Sequence, residues 1–180
     1  IDDADTSILS NITTVKMYKY ITPTLSTGLK YTLSFNNAFY NPHSGHNASA
    51  GGIVSSTGFK INNDSSENEH FLDDDGAGIV RVYYLNGSTR VYTDATYGTI
   101  DYTSGEIILT SANITSISNV DGAASTKIRV FVKPNSNDVI PVRNQTLSID
   151  LTNSLITGSV DEIESGSSQA GTTYTTTSSY

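Results

Sequence analysis

The property that most limits how this chain can fold is a two-residue alternation of apolar and polar side chains, which recurs between short turn signals. Alternation places successive side chains on opposite faces of a strand, and no segment shows the sustained 3.6-residue period of a helix. About eight such segments follow one another at intervals of roughly ten residues. We therefore predict a mainly β fold, an antiparallel sandwich or meander of about eight strands with long loops.

Two strands are predicted near the N-terminus. The first runs from Thr14 to Pro23 and separates Val15, Met17 and Ile21 from Lys16, Tyr18 and Tyr20. The second places on one face Leu29, Tyr31, Leu33 and Phe35. Because turn residues at 26–28 separate them, we expect these two strands to form a hairpin or an adjacent pair.

The middle of the chain contains shorter signals. The stretch GGIVSSTGFKIN predicts a β segment with a bulge or bend near Gly58, and NNDSSENEHFLDDDGAG predicts an acidic loop. In IVRVYYLNGSTRVYT, two alternating runs flank Asn86-Gly87, a pair that favours the positive φ angles of tight hairpins. A second hairpin is predicted from strands at 99–102 and 106–110.

Two later strands complete the pattern. One points Ile128, Val130 and Val132 inward and ends at Pro134, and the other runs through residues 147–151. For the domain organisation, we expect residues 1–13 to connect to a missing N-terminal part, with one possible helical turn in DTSILSNIT. Residues 14–160 form the β domain, as one unit or as two small ones. Residues 161–180 form a Ser/Thr-rich tail, which is either free or a strand awaiting a partner subunit.

Charge and composition narrow the classes of partner. Ten basic and eighteen acidic residues leave a net charge of −8, which repels nucleic acid and anionic membranes. No run approaches the roughly 18 apolar residues of a membrane span. With no cysteine, disulfides and thiolate metal sites are excluded. We expect neither a nucleic-acid nor a membrane partner.

Two of the three histidines, His43 and His46, lie in the stretch NPHSGHNASAGG. A His-x-x-His pair can chelate a metal when a third donor folds nearby, and His70 or the aspartates could supply one. Metal-binding histidines also need a rigid frame and fixed hydrogen-bond partners, which a loop of small residues does not promise. We therefore predict a structural loop and no metal ligands.

Other candidate chemistry is weak. Asp73, Asp74 and Asp75 before Gly76 resemble part of a calcium loop, but adjacent aspartates point in different directions, so a solvated acidic loop is favoured. The carboxylate pair Asp101 and Glu106 flanks a predicted turn. The chain has no G-x-S-x-G elbow and no phosphate-binding glycine loop. We predict no enzyme, no cofactor and no small-molecule substrate.

The tyrosines favour an interaction role. The chain contains eleven tyrosines and no tryptophan, and tyrosine buries a large ring at interfaces while keeping a hydroxyl for hydrogen bonding. The outward residues Tyr18, Tyr20, Tyr83 and Tyr92 are the first candidates for a subunit contact. An alternative is a carbohydrate-binding or adhesin module, in which exposed tyrosines stack on sugar rings, although the absence of tryptophan weakens it.

Four stretches together resemble one family. They are TSILSNITTVKMYKYITP (6–23), YTLSFNNAFYNPHSGHN (31–47) continuing into GGIVSSTGF (51–59), YGTIDYTSGEIILT (97–110) and DVIPVRNQTLSIDL (138–151). This combination is similar to the baseplate wedge proteins of T4-like contractile-tailed bacteriophages, which are related to the baseplate-J group.

The resemblance implies a structural virion protein, of which these residues form the C-terminal part. Such subunits pair with a second copy of themselves, as a homodimer, and with other wedge subunits to build the inner baseplate ring. The family has no catalytic residues to carry over. The resemblance also implies a location in the tail baseplate, after assembly in the host cytoplasm.

Overall fold

The computed structural model describes residues 16–120 and 122–135. The strands within these ranges are β1 (Met17–Ile21), β2 (Gly28–Ser34), β3 (Ser55–Ser56), β4 (Phe59–Ile61), β5 (His70–Asp74), β6 (Ile79–Asn86), β7 (Thr89–Asp101), β8 (Glu106–Ile117) and β9 (Ile128–Val132). A short helix, α1 (His46–Ala50), lies between β2 and β3. The prediction of a mainly β fold is confirmed, and every strand pair is antiparallel.

Five strands close into a barrel in the order β8-β4-β5-β6-β7, and β7 returns to β8. The long strand β8 allows this closure because its two halves have different neighbours. Residues 106–109 pair with β7, and residues 114–117 pair with β4. The carbonyl of Asn113 accepts from the amide of Asn62, and the carbonyl of Ile114 accepts from Ser26. Successive carbonyls point to opposite edges of a strand, so β4 and β2 lie on opposite edges of β8. β2 is therefore outside the closed barrel, paired with β8 alone among the described strands.

A separate three-stranded sheet has the order β1-β9-β3. The expectation that the first two strands pair with each other is wrong, because β1 pairs with β9 and β2 pairs with β8. Turn residues at 26–28 connect two different sheets here, and local sequence does not distinguish such a connection from a hairpin. The predicted inward residues of β9 are all buried: Ile128, Val130 and Val132.

The hairpin between β6 and β7 is confirmed, with its turn one residue further along than predicted. Asn86 pairs with Thr89, so Gly87 and Ser88 form the two-residue turn. Gly87 has a φ of 62°, the left-handed conformation that glycine adopts without strain. The second hairpin is also confirmed, since Asp101 pairs with Glu106 at its base.

The predicted acidic loop is partly wrong. Residues 70–74 form β5, which pairs with β6 and closes the barrel wall. This strand was missed because its buried positions include polar side chains, so no alternation of apolar and polar residues marks it. The predictions for the late strand at 147–151, the connector at 1–13 with its helical turn, and the tail at 161–180 lie outside the described residues.

Candidate functional site

The outer face of the three-stranded sheet carries adjacent aromatic side chains. Tyr18 pairs with Phe131 across β1 and β9, and their ring centroids are 5.8 Å apart. Tyr20 lies two residues from Tyr18 on the same face, with the two rings edge to face at 5.4 Å. Tyr18 is 51% exposed and Tyr20 is 46% exposed. Large rings are thus presented at the surface in the arrangement that the alternation predicts.

Two cations border these rings. The Nζ of Lys127 lies 5.3 Å from the Tyr20 ring centroid, and the guanidinium carbon of Arg129 lies 5.9 Å from it. Cations at this distance are attracted to the ring face. We call Tyr18, Tyr20, Lys127, Arg129 and Phe131 the aromatic face. It is cationic on a chain whose net charge is −8, so it is electrostatically distinct from the chain as a whole.

The other two predicted tyrosines, Tyr83 and Tyr92, form a cross-strand pair on the barrel at 5.9 Å. Arg90 lies over Tyr83 at 4.6 Å, and Arg81 lies over Tyr92 at 4.3 Å. Both arginines also bind Asp73, at 2.7 Å and 2.9 Å, and the Tyr92 hydroxyl donates to it at 2.9 Å. Burial and the bond to Asp73 raise the pKa of Tyr92. These tyrosines are therefore held in a network within the chain.

The three aspartates do not form a solvated loop, which corrects that prediction. Asp73 is the shared acceptor just described and is only 3% exposed. Asp74, 1% exposed, accepts from the amides of Ile53 and Val54 at 2.6 Å and 2.8 Å. Asp75 accepts from the amides of Ala77 and Ile79, which shapes the turn before β6. Three neighbouring carboxylates thus serve three different structural roles.

His43 and His46 are brought together by the fold. The Nδ1 of His46 lies 3.3 Å from the Nε2 of His43, and the ring centroids are 4.9 Å apart. His70 has different partners. Its ring is fully buried, Nδ1 donates to the carbonyl of Asn68 at 2.9 Å, and Nε2 lies 3.0 Å from the hydroxyl of Thr93. His70 is a core residue of the barrel, with both ring nitrogens engaged.

The carboxylates of Asp101 and Glu106 are each engaged locally. Asp101 accepts from the amides of Thr103 and Ser104. The bond from the Ser104 hydroxyl, followed by these two amide bonds, lowers the pKa of Asp101. Glu106 accepts from the hydroxyl of Ser34 at 3.1 Å. Both residues thus support the turn and the β2–β8 contact.

A cavity of about 90 Å³ is lined by residues of β4, β7 and β8, including Asp94, Tyr97 and Asn113. The buried Tyr97 hydroxyl and the side-chain amide oxygen of Asn113, Oδ1, have no hydrogen-bond partner within residues 16–120 and 122–135. Burial is the main cause of a raised Tyr97 pKa.

Within residues 16–120 and 122–135, no three His, Asp or Glu side chains cluster as metal ligands. None of the helices described there is long and apolar enough to cross a membrane.

Sequence reasoning missed two features of these sites. The first is the contribution of Lys127 and Arg129 to the aromatic face. A sequence signal for it was present, because both residues are neighbours of the inward Ile128 in an alternating segment and so point outward. The second is the pair of hydrogen bonds that Asp74 accepts from the amides of Ile53 and Val54. No sequence signal indicated it, because its partners at 53 and 54 are backbone amides, which any residue other than proline supplies.

Comparison with known protein families, with characterised proteins and with solved structures finds no significant match to this chain. The fold and its surfaces therefore have to support any functional proposal by themselves, and the resemblance to baseplate wedge proteins stays a prediction.

Proposed function

We propose that this chain is a structural virion protein of a bacteriophage tail baseplate wedge, which assembles through self-association and contacts with other wedge subunits. The observation that carries the proposal is the aromatic face. Exposed tyrosines and a phenylalanine, bordered by an arginine, have the composition that is enriched at the centres of protein interfaces. The four stretches quoted above supply the connection to the baseplate.

The sign of the charge indicates what the aromatic face contacts. Lys127 and Arg129 favour an acidic partner surface, and a second copy of this chain, at −8, is acidic overall. The face also belongs to a sheet whose opposite side packs into the core through Ile21, Ile128 and Val130. It is therefore presented on a firm backbone, which reduces the entropy lost on binding.

The test is the oligomeric state of the 180-residue chain, measured by sedimentation equilibrium over micromolar and higher concentrations. We expect a dimer or larger species. Tyr18→Ser and Tyr20→Ser should each weaken association by about 30-fold, which corresponds to about 2 kcal/mol for an interface hot spot. Leu85→Ser is the matched control, because Leu85 is also 51% exposed but lies near the tip of the β6–β7 hairpin.

A strictly monomeric chain at all concentrations would contradict the proposal, and so would an equal loss of association in the control. Because cations contribute to the face, association should also weaken as salt is raised. Co-purification with the other wedge subunits of the same phage is the corresponding test of the baseplate assignment.

The second candidate is a carbohydrate-binding module, and the cavity beside Tyr97 favours it. The unpartnered groups of Tyr97 and Asn113 are of the kind that bind sugar hydroxyls, and Asp94 lines the same cavity. A glycan array decides between the two. Binding that is lost in Tyr97→Phe, in a monomeric chain, would favour this candidate over assembly.

A further inference from the structure

The His43–His46 pair has a geometry that a loop of small residues did not promise. His43 Nδ1 lies 3.1 Å from the carbonyl of Ser44. Because a carbonyl only accepts, Nδ1 carries the proton and Nε2 carries a lone pair. That lone pair faces His46 Nδ1 at 3.3 Å, and neither ring is buried. Two imidazole nitrogens thus meet at the surface, one of them already in the form that binds a metal.

The separation of these nitrogens fits a shared metal ion. Zinc–nitrogen bonds of about 2.05 Å at a tetrahedral angle place two nitrogens about 3.3 Å apart. The observed separation is 3.3 Å. To bind a metal, the two rings reorient by rotation about their side-chain bonds until both lone pairs point to one position beside the line joining the nitrogens.

The rings also have the supporting contacts that metal-binding histidines require. The Ser44 carbonyl holds the His43 tautomer, which is the usual outer-shell arrangement. Tyr40 packs edge to face on His46 with centroids 5.4 Å apart, which limits the orientation of that ring. The fixed partners that the sequence did not indicate are therefore present.

The backbone beneath the pair is anchored to the rest of the fold. The side chain of Asn47, next to His46, is buried and donates to the carbonyl of Tyr40 at 2.6 Å. Gly76 packs so closely on α1 that an added Cβ would lie 2.2 Å from the carbonyl carbon of Asn47. The amide of Ser49 donates to the carbonyl of Gly45. The pair thus lies on an anchored turn.

We propose that His43 Nε2 and His46 Nδ1 chelate one divalent transition metal ion per chain, of the class Zn²⁺, Ni²⁺ or Cu²⁺, with water in the remaining positions. Imidazole suits these ions, and copper should bind tightest of the three. Before the metal binds, His46 Nδ1–H donates to His43. On binding, that proton moves to the outward Nε2 of His46, so both rings stay neutral.

Isothermal titration of the 180-residue chain with each metal salt, in a buffer that does not chelate, tests this site. We expect one ion per chain. His43→Ala and His46→Ala should each weaken binding by about tenfold or more, since even loss of an outer-shell partner has an effect of that size. Ser44→Ala is the control, because it keeps both imidazoles and the backbone carbonyl and should bind as the wild type does.

A second measurement identifies the ligands directly. In NMR spectra, substoichiometric Cu²⁺ should broaden the ring protons of His43 and His46 before those of the buried His70. Saturable binding that persists in the His43→Ala/His46→Ala double variant would overturn the proposal. Failure of all three metals to bind would overturn it too and would leave the pair as a hydrogen bond alone. Neither outcome depends on the oligomeric state, so this site and the proposed assembly role are tested separately.

Discussion

Replacing Asp74 tests how the three-stranded sheet is held to the barrel. Its carboxylate lies in β5 and binds the amides of Ile53 and Val54, immediately before β3. The other oxygen accepts from the Tyr102 hydroxyl at 2.6 Å. Burial, and then the bond to Asp74, raise the pKa of Tyr102. Gly52, which precedes Ile53, packs directly against this carboxylate, because a Cβ added at Gly52 would lie 2.3 Å from it.

The expected magnitude follows from which groups lose a partner. Asp74→Ala leaves the amides of Ile53 and Val54 without an acceptor, at about 1–3 kcal/mol each. The Tyr102 hydroxyl, on a half-buried ring, can turn toward water. Removing a buried carboxylate offsets part of this cost, because the charge no longer has to be desolvated. We expect a net loss of about 3 kcal/mol, a large part of the 5–15 kcal/mol that stabilises a typical domain.

Two milder variants separate the contributions. Asp74→Asn keeps an oxygen for both amides and presents its NH₂ group to the Tyr102 oxygen, so the loss should be about 1 kcal/mol. Tyr102→Phe leaves the buried Oδ2 of Asp74 without the hydroxyl that donates to it, with a loss of about 1.5 kcal/mol. Urea denaturation followed by circular dichroism measures all three free energies of unfolding. If Asp74→Asn is as destabilising as Asp74→Ala, charge rather than acceptor geometry dominates and the reasoning is refuted.

Three further predictions concern the barrel and the helix contact. Burial holds the pKa of His70 below its ordinary 6.5, so the unfolded chain binds more protons and the free energy of unfolding should fall as the pH drops through 6.5. Urea titrations at pH 7.5 and 5.5 measure this, and His70→Gln should remove that part of the pH dependence. Gly76→Ala should lower the free energy of unfolding by about 2–4 kcal/mol, because alanine is strained at this positive φ and its Cβ would clash with α1. Gly87→Ala has the same kind of strain, at a φ of 62°, but open space around the Cβ, so the loss in the same assay should be about 1–2 kcal/mol. Asp73→Asn should lower stability by about 1–2 kcal/mol through weaker bonds to two partly exposed arginines, and an unchanged denaturation midpoint would contradict that role.

The sequence by itself determined the strands that show alternation and the direction of their side chains. In β9, inward Ile128 and Val130 and outward Phe131 follow directly from the period of two. The β6–β7 hairpin was also predictable, because glycine at a tight turn between alternating runs is a local signal. These features depend only on residues close in sequence, and local backbone geometry is sufficient to specify them.

Only the tertiary structure decided how the strands pair, where the barrel closes and which polar groups meet. β5 escaped prediction because its buried Asp74 and His70 are satisfied by partners elsewhere in the chain, at Val54 and Thr93. The histidine pair needed the contact with Gly76 and the ring of Tyr40 before its geometry was fixed. Partners distant in sequence supply the hydrogen bonds that make burial of a polar side chain favourable, so no local pattern reveals them.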